Sequence, residues 1–270
     1  MDNPYVELTT AFNRGRLRAI LSSGQAVVMH RLAVMSKDGD WILREDDETI
    51  EHVLQVLADL GARYRLGAPL DHRWLAGGWS AHLEHRRGRL RLRTDFVSRP
   101  PRLSPEELAR LWEDAAAGDD VPVVGLAPLA ELKKTNREKD YAVIGELARR
   151  MEEPQLQLLY SRSARDLQRL AEAHPEMVSD LASQRPVLLR IGDGRDALEQ
   201  ALDAERRALI RANEERLLGY REAMQAWSEV WPEVGAEIAG RPLEEAHAIL
   251  LARAEGVLPW TPARFGGTAS

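Results

Sequence analysis

The chain has 270 residues, 44% of them hydrophobic, with a formal net charge of −6. That length supports one large domain or two modest ones. The absence of cysteine excludes a disulfide framework, thiolate catalysis and cysteine-ligated zinc.

The charge is uneven. Lys and Arg balance Asp and Glu over residues 1–150, so the whole deficit falls in residues 151–270. No apolar run reaches the length needed to cross a bilayer. The opening Met1-Asp2-Asn3-Pro4 lacks the basic-then-apolar build of a secretory signal, which points to the cytoplasm.

In chain order, Arg18 to His30 predicts a short strand, a turn at Ser23-Gly24 and the start of a helix. A small pair at such a junction lets backbone N–H groups approach a phosphate. His30, at the end of that helix, reads as a packing or capping residue. In Ser36-Lys37-Asp38-Gly39-Asp40-Trp41-Ile42-Leu43, two acids one residue apart run into an apolar segment, the pattern of a strand start. With a side-chain period of two, Asp38 and Asp40 leave the same face. Like charges that close repel, and one or two hard divalent cations with oxygen ligands would relieve the repulsion. Asp38-Gly39 also suits a turn with both carboxylates in water.

Residues 47–61 carry Ile50, Val53, Leu54, Leu57 and Leu60 at helical spacing, with acids leading and Gly61 closing. Gly67, Pro69, Gly77 and Gly78 suggest strands broken by turns over 62–80. Trp79 to Arg86 alternates and is expected to form a hairpin with the arginine-rich run up to Asp95. On that second strand Arg89, Arg91, Arg93 and Asp95 share one face, and Leu90, Leu92 and Phe96 the other. The guanidinium file could grip a triphosphate or an RNA backbone. It could equally be a solvated face paired with the acidic C-terminal half. His82 and His85, three residues apart on a strand, face opposite sides and are expected to be surface or core residues, not ligands of one ion.

A helix is predicted over 104–117, opened by Ser104-Pro105-Glu106-Glu107, and a strand over Val121 to Leu126. From about residue 151 the pattern is helical. Gly192-Asp193-Gly194 breaks it before a long helical stretch over about 195–231. There Leu217, Tyr220, Met224, Trp227 and Trp231 form a seam for another helix, a domain face or a second copy. Pro259 to Ser270 reads as a tail. Neither a Gly-x-x-x-x-Gly-Lys-Ser/Thr loop nor a Gly-x-Ser-x-Gly elbow occurs.

The order strand, Ser23-Gly24, helix, strand with Asp38-Gly39-Asp40 resembles the nucleotidyltransferase superfamily that includes DNA polymerase β. It is most similar to the minimal nucleotidyltransferases and related abortive-infection or toxin–antitoxin proteins. Ser23-Gly24 takes the paired-glycine position, Ala26 and His30 follow, and Ser36-Lys37-Asp38-Gly39-Asp40 supplies the acid motif. Asp95 stands for the third carboxylate. Leu129 to Tyr141 resembles the family's lysine-bearing helix and its Arg-x-Lys-Asp element. The resemblance spans roughly residues 15–150. Ser23 replaces the usual glycine, Val34 stands where many relatives have arginine, and the spacing from Lys133 to Arg137 is short.

The resemblance implies an α+β fold: a mixed sheet flanked by helices over residues 1–150, then an all-helical region over 151–270. It implies Mg²⁺ or Mn²⁺ on Asp38, Asp40 and Asp95. It also implies a nucleoside triphosphate such as ATP contacted by Ser23, Gly24, Lys133 and Lys134. The expected reaction moves a nucleoside monophosphate to a hydroxyl of RNA, a protein or a small molecule. The alternative is a catalytically weak member acting as an antitoxin-like or assembly partner, with the helical region as its interface.

Overall fold

A side-chain cap and a proline start the first helix of the computed structural model, which describes residues 3–118 and 120–262. Asn3 accepts from the Tyr5 N–H and Pro4 takes the first helical position of α1 (Pro4–Phe12). Tyr5, Leu8 and Phe12 bury one face of it. The helix was not among the expected elements, although Asn3-Pro4 ahead of that spacing is its signature.

The chain continues through β1 (Ala19–Ser22), α2 (Ser23–Met29), β2 (Asp38–Leu43), α3 (Asp47–Asp59), β3 (Arg63–Tyr64), α4 (His72–Ala76), β4 (Ala81–Arg87), β5 (Leu90–Val97) and α5 (Pro105–Ala117). The strands form one five-stranded mixed sheet in the order β1-β2-β5-β4-β3. β2 runs parallel to β5, and the other neighbours are antiparallel. One sheet face carries Trp41, Leu83, Leu92 and Phe96 into a core shared with Leu8 and Phe12 of α1 and Val53 and Leu57 of α3. Phe12, Trp41 and Phe96 meet there at ring-centroid separations of 5.3–5.8 Å.

The second run of elements is helical: α6 (Leu126–Leu132), α7 (Glu138–Arg150), α8 (Pro154–Tyr160), α9 (Ala164–Ala173), α10 (Pro175–Leu181), a 3₁₀ helix (Pro186–Asp193), α11 (Arg195–Ala223), α12 (Gln225–Ile238) and α13 (Leu243–Glu255). The fold is α+β, a mixed sheet flanked by helices and followed by a helical region. Among the described residues no helix is long and apolar enough to cross a membrane.

Contacts divide the chain into two compact units, one of residues 1–29, 33–124 and 216–270, the other of 30–32 and 125–215. Residue 150, the boundary expected from composition, ends α7 inside the second unit. α12 and α13 belong with the sheet: Trp227, Val234, Leu243 and Leu250 join its core. Trp227 Nε1 donates to the Gly67 carbonyl at 2.9 Å, and Tyr220 packs edge-on against Trp79. In the second unit, Leu158, Leu167, Leu188 and Leu198 gather in a separate core. Arg185 is buried beside it, donating to the carbonyls of Leu158 and Ser161 and to Glu205.

Several local expectations are corrected. Residues 62–80 hold a two-residue strand and the short helix α4, capped by Asp71. Val121 to Leu126 forms no extended strand. Leu21 donates to Pro122 O and accepts from Val124 N–H, an isolated bridge, since a proline cannot donate to a ladder. Leu129 to Tyr141 is split between α6 and α7, with Lys133 at the end of α6. The stretch over 195–231 is divided at Met224 between α11 and α12. Arg89 lies in the Gly88-Arg89 turn, outside the strand file, and Gly88 takes the left-handed φ of 61° that this turn needs. Pro259 to Pro262 is packed: Trp79 Nε1 donates to Pro259 O at 2.8 Å, and Trp260 lies 4.4 Å from Trp74. The rest of the expected tail, 263–270, lies outside the described residues.

Candidate active site

Strand register brings the acids together. Asp38 and Asp40 lie on β2 in the i, i+2 relation, and Asp40 is paired with Asp95 of the parallel strand β5. Neighbouring strands are about 4.8 Å apart and alternate residues about 6.6 Å apart, so Asp40 sits between the other two on one sheet face. The turn reading of Asp38-Gly39 is therefore set aside. Ser22 of β1 is paired with Asp40 from the other side. Ser23 and Gly24 follow at once, at the start of α2.

Two glycines explain how the backbone tolerates this crowding. A Cβ on Gly39 would stand 2.4 Å from the Tyr5 ring and 2.5 Å from that of Trp41, so only hydrogen fits between the two acids. A Cβ on Gly24 would stand 2.3 Å from Ser36 Oγ, so this glycine lets the loop before β2 close onto α2. Ser23 has a φ of 52°, left-handed backbone that favours glycine.

Charge and hydrogen bonding are organised around the three carboxylates. Asp95 Oδ1 accepts from Arg65 at 3.2 Å and pairs with His82 Nδ1 at 2.7 Å. Arg93, registered with Asp38, brings its guanidinium to 3.7 Å from Asp38 Oδ1. The Tyr5 hydroxyl donates to the Lys37 carbonyl at 2.6 Å. Burial first, then the charges of Asp38, Asp40 and Asp95, push its pKa up to about 12. One hydroxyl thus feels all three acids. Further along the face, Glu84 is buried among Arg63, Arg65 and Arg91. Burial raises its pKa, but hydrogen bonds from Arg91 and Arg63 outweigh that and hold it below the ordinary carboxylate range. Arg63, Arg65 and Arg91 thus form a guanidinium cluster around one carboxylate, not the open file expected from β5.

Asp38 Oδ1 is a buried oxygen without a hydrogen-bond partner, which fits a cation between Asp38 and Asp40. Among the described residues, however, no three His, Asp or Glu side chains are disposed as a ready-made cation cage. Lys133 and Lys134 belong to the second unit. Lys133 is buried, 3.8 Å from Asp140, and Lys134 pairs with Glu131 at 2.6 Å. Arg137 and Thr135 also bind Asp140.

Of the two histidines, His85 is in the core on the opposite face, whereas His82 is at the site. Sequence reasoning missed His82, Arg65 and Tyr5. For His82 the signal was present: a two-residue turn at Gly88-Arg89 fixes a register that sets residue 82 opposite residue 95.

No protein-family model and no curated protein matches the sequence. A solved structure described as a "putative nucleotidyltransferase from H. pylori" is similar over 78% of this chain and 96% of that chain, at 13% identity and a TM-score of 0.38. At those values the likeness assigns neither family nor activity.

Proposed function

We propose that the chain is a metal-dependent nucleotidyltransferase that moves a nucleoside monophosphate from a nucleoside triphosphate to an acceptor hydroxyl on RNA, a protein or a small molecule. The observation that carries this reading is the register placing Asp38, Asp40 and Asp95 on one sheet face. Asp38 and Asp40, with Asp95 completing the set, would hold Mg²⁺ or Mn²⁺. When bound, such an ion neutralises charge on the reacting phosphates. Ser23 and the backbone at Gly24 would face the triphosphate. Arg93, beside Asp38, would orient the nucleotide by bidentate contact.

The test is transfer of label from each of the four α-labelled nucleoside triphosphates to added RNA, protein or small-molecule acceptors. Asp38→Ala and Asp40→Ala are each expected to lower transfer by about 100-fold or more. Undiminished transfer in both variants would remove the carboxylates from the chemistry.

The competing reading is a protein of the same architecture that acts by binding a partner. It is favoured by one observation: Asp95 Oδ1 is already occupied by His82 and Arg65. Absence of both transfer and metal-dependent nucleotide binding would select it.

A further inference from the structure

Gln25 follows directly on the Ser23-Gly24 pair, and only 2% of it is exposed. A buried amide costs free energy unless its donor and its acceptor are both answered. Here both are. Gln25 Nε2 donates to the Ser36 carbonyl at 2.9 Å, and Gln25 Oε1 accepts from Asn3 Nδ2 at 3.2 Å. Each amide has one workable orientation. The Ser36 carbonyl only accepts, so Gln25 turns its nitrogen there, and the Tyr5 N–H only donates, so Asn3 turns its oxygen to it. The relay therefore has a fixed direction, from Tyr5 N–H to Asn3, from Asn3 to Gln25, and from Gln25 to Ser36.

The relay joins two segments that a transfer site must keep in step. Gln25 stands in the first turn of α2, next to the pair assigned to the triphosphate. Ser36 stands two residues before Asp38, and its Oγ donates to the Asp38 carbonyl at 3.3 Å. A second set of ties comes from α1. The Tyr5 hydroxyl holds the Lys37 carbonyl, while Thr9 Oγ1 donates to the Tyr5 carbonyl at 2.7 Å and accepts from Trp41 Nε1 at 2.9 Å. The backbone is thus held at Ser36 and Lys37 before the two acids and through the Trp41 ring after them. An apolar side chain of the same length at position 25 would fill the same space without desolvating an amide. What the amide adds is a fixed spacing between the turn and the acid-bearing loop.

We propose that Gln25 is a positioning residue of the transfer site, locking the loop that carries Asp38 and Asp40 to the turn at Ser23-Gly24. The proposal rests on the transferase reading, which assigns a cation to the one segment and a triphosphate to the other. Gln25 touches neither ligand and no bond forms or breaks at it. It acts through Ser36 on the backbone of Asp38. Without its two hydrogen bonds the segments can shift against each other, and a misplacement of about 1 Å at reacting groups costs on the order of 100-fold in rate.

The experiment titrates Mn²⁺ into the purified full chain without nucleotide, reading free ion by electron paramagnetic resonance, and then measures kcat and KM for transfer. Asp38→Ala, which removes a proposed ligand, is the control. Gln25→Met keeps the length of the side chain and removes both hydrogen bonds. It is expected to raise the Mn²⁺ dissociation constant about tenfold or more, and to lower kcat by about 10–100-fold with a smaller change in KM. Asn3→Ser keeps an oxygen to cap α1 but cuts the relay, and should shift the same quantities in the same direction by less. It decides the matter if Gln25→Met does not melt cooperatively. A lower melting temperature in the variants with Mn²⁺ affinity and kcat unchanged would make Gln25 a structural residue and overturn the proposal, leaving the transferase reading intact. Wild-type protein that neither binds Mn²⁺ nor transfers label would remove both.

Discussion

Single residues here answer to what lies beneath the sheet as much as to what lies above it. Gly39 separates the two acids because the Tyr5 and Trp41 rings occupy the space of any side chain there. Gly39→Ala is expected to lower stability by about 1–3 kcal/mol, the usual range for overpacking, and to depress any activity of Asp38 and Asp40 with it. Chemical denaturation of the two proteins measures the first effect. His247 gives a second prediction. Its Nδ1 lies 2.7 Å from the Tyr64 hydroxyl, which itself accepts from the Leu70 N–H and so has its own proton to give to the imidazole. Burial lowers the His247 pKa to about 4. An unfolded histidine titrates near 6.5, so between about pH 6.5 and 4 the unfolded chain binds the extra proton and stability falls as pH falls. The loss from this residue is roughly 3 kcal/mol across that window. Melting temperatures from pH 7 to pH 4 should decline less steeply in His247→Phe, and equal slopes would sink the assignment.

Elements are placed by caps and apolar stripes that are local in the sequence. α5 begins with a full capping box between Ser104 and Glu107, and α3 with the Asp46 side chain on the Thr49 N–H. The first was legible as sequence in Ser104-Pro105-Glu106-Glu107; for the second only the leading acids were. The sheet was less so. Expected strands shrank to β3 and an isolated bridge where Pro122 and the turn residues withhold ladder hydrogen bonds. The aromatic stripe of 217–231 illustrates the opposite limit: its helical spacing was evident, but its partner was not. Trp227 is fully buried against the sheet's own unit, so Trp227→Ala is expected to cost about 3–5 kcal/mol in monomer stability. A midpoint in urea shifted by less than a third of that would contradict the burial.

At the scale of the whole molecule, the sheet's core is completed by residues far along the chain. Val234, Leu243, Ala246, Leu250 and Ala254 join Val53, Leu57 and Leu70 in one cluster. A fragment of residues 1–150 therefore lacks part of its own core. It is expected to be aggregated or molten, with near-ultraviolet circular dichroism lost. A soluble fragment with a cooperative melt would show that α12 and α13 are dispensable to the sheet.

By itself the sequence determined what depends on neighbours along the chain: the helix starts at 47 and 104, the β4–β5 hairpin, and the shared face of Asp38 and Asp40. These follow from caps, turn residues and a side-chain period of two, all short-range physics. Only the tertiary structure decided what depends on register and on distant packing. It set Asp95 beside Asp40, brought Arg65 onto Asp95, and returned the last two helices to the sheet. Pairing between strands and burial between helices are chosen by the global minimum of exposed apolar surface, and no local pattern of residues encodes that sum.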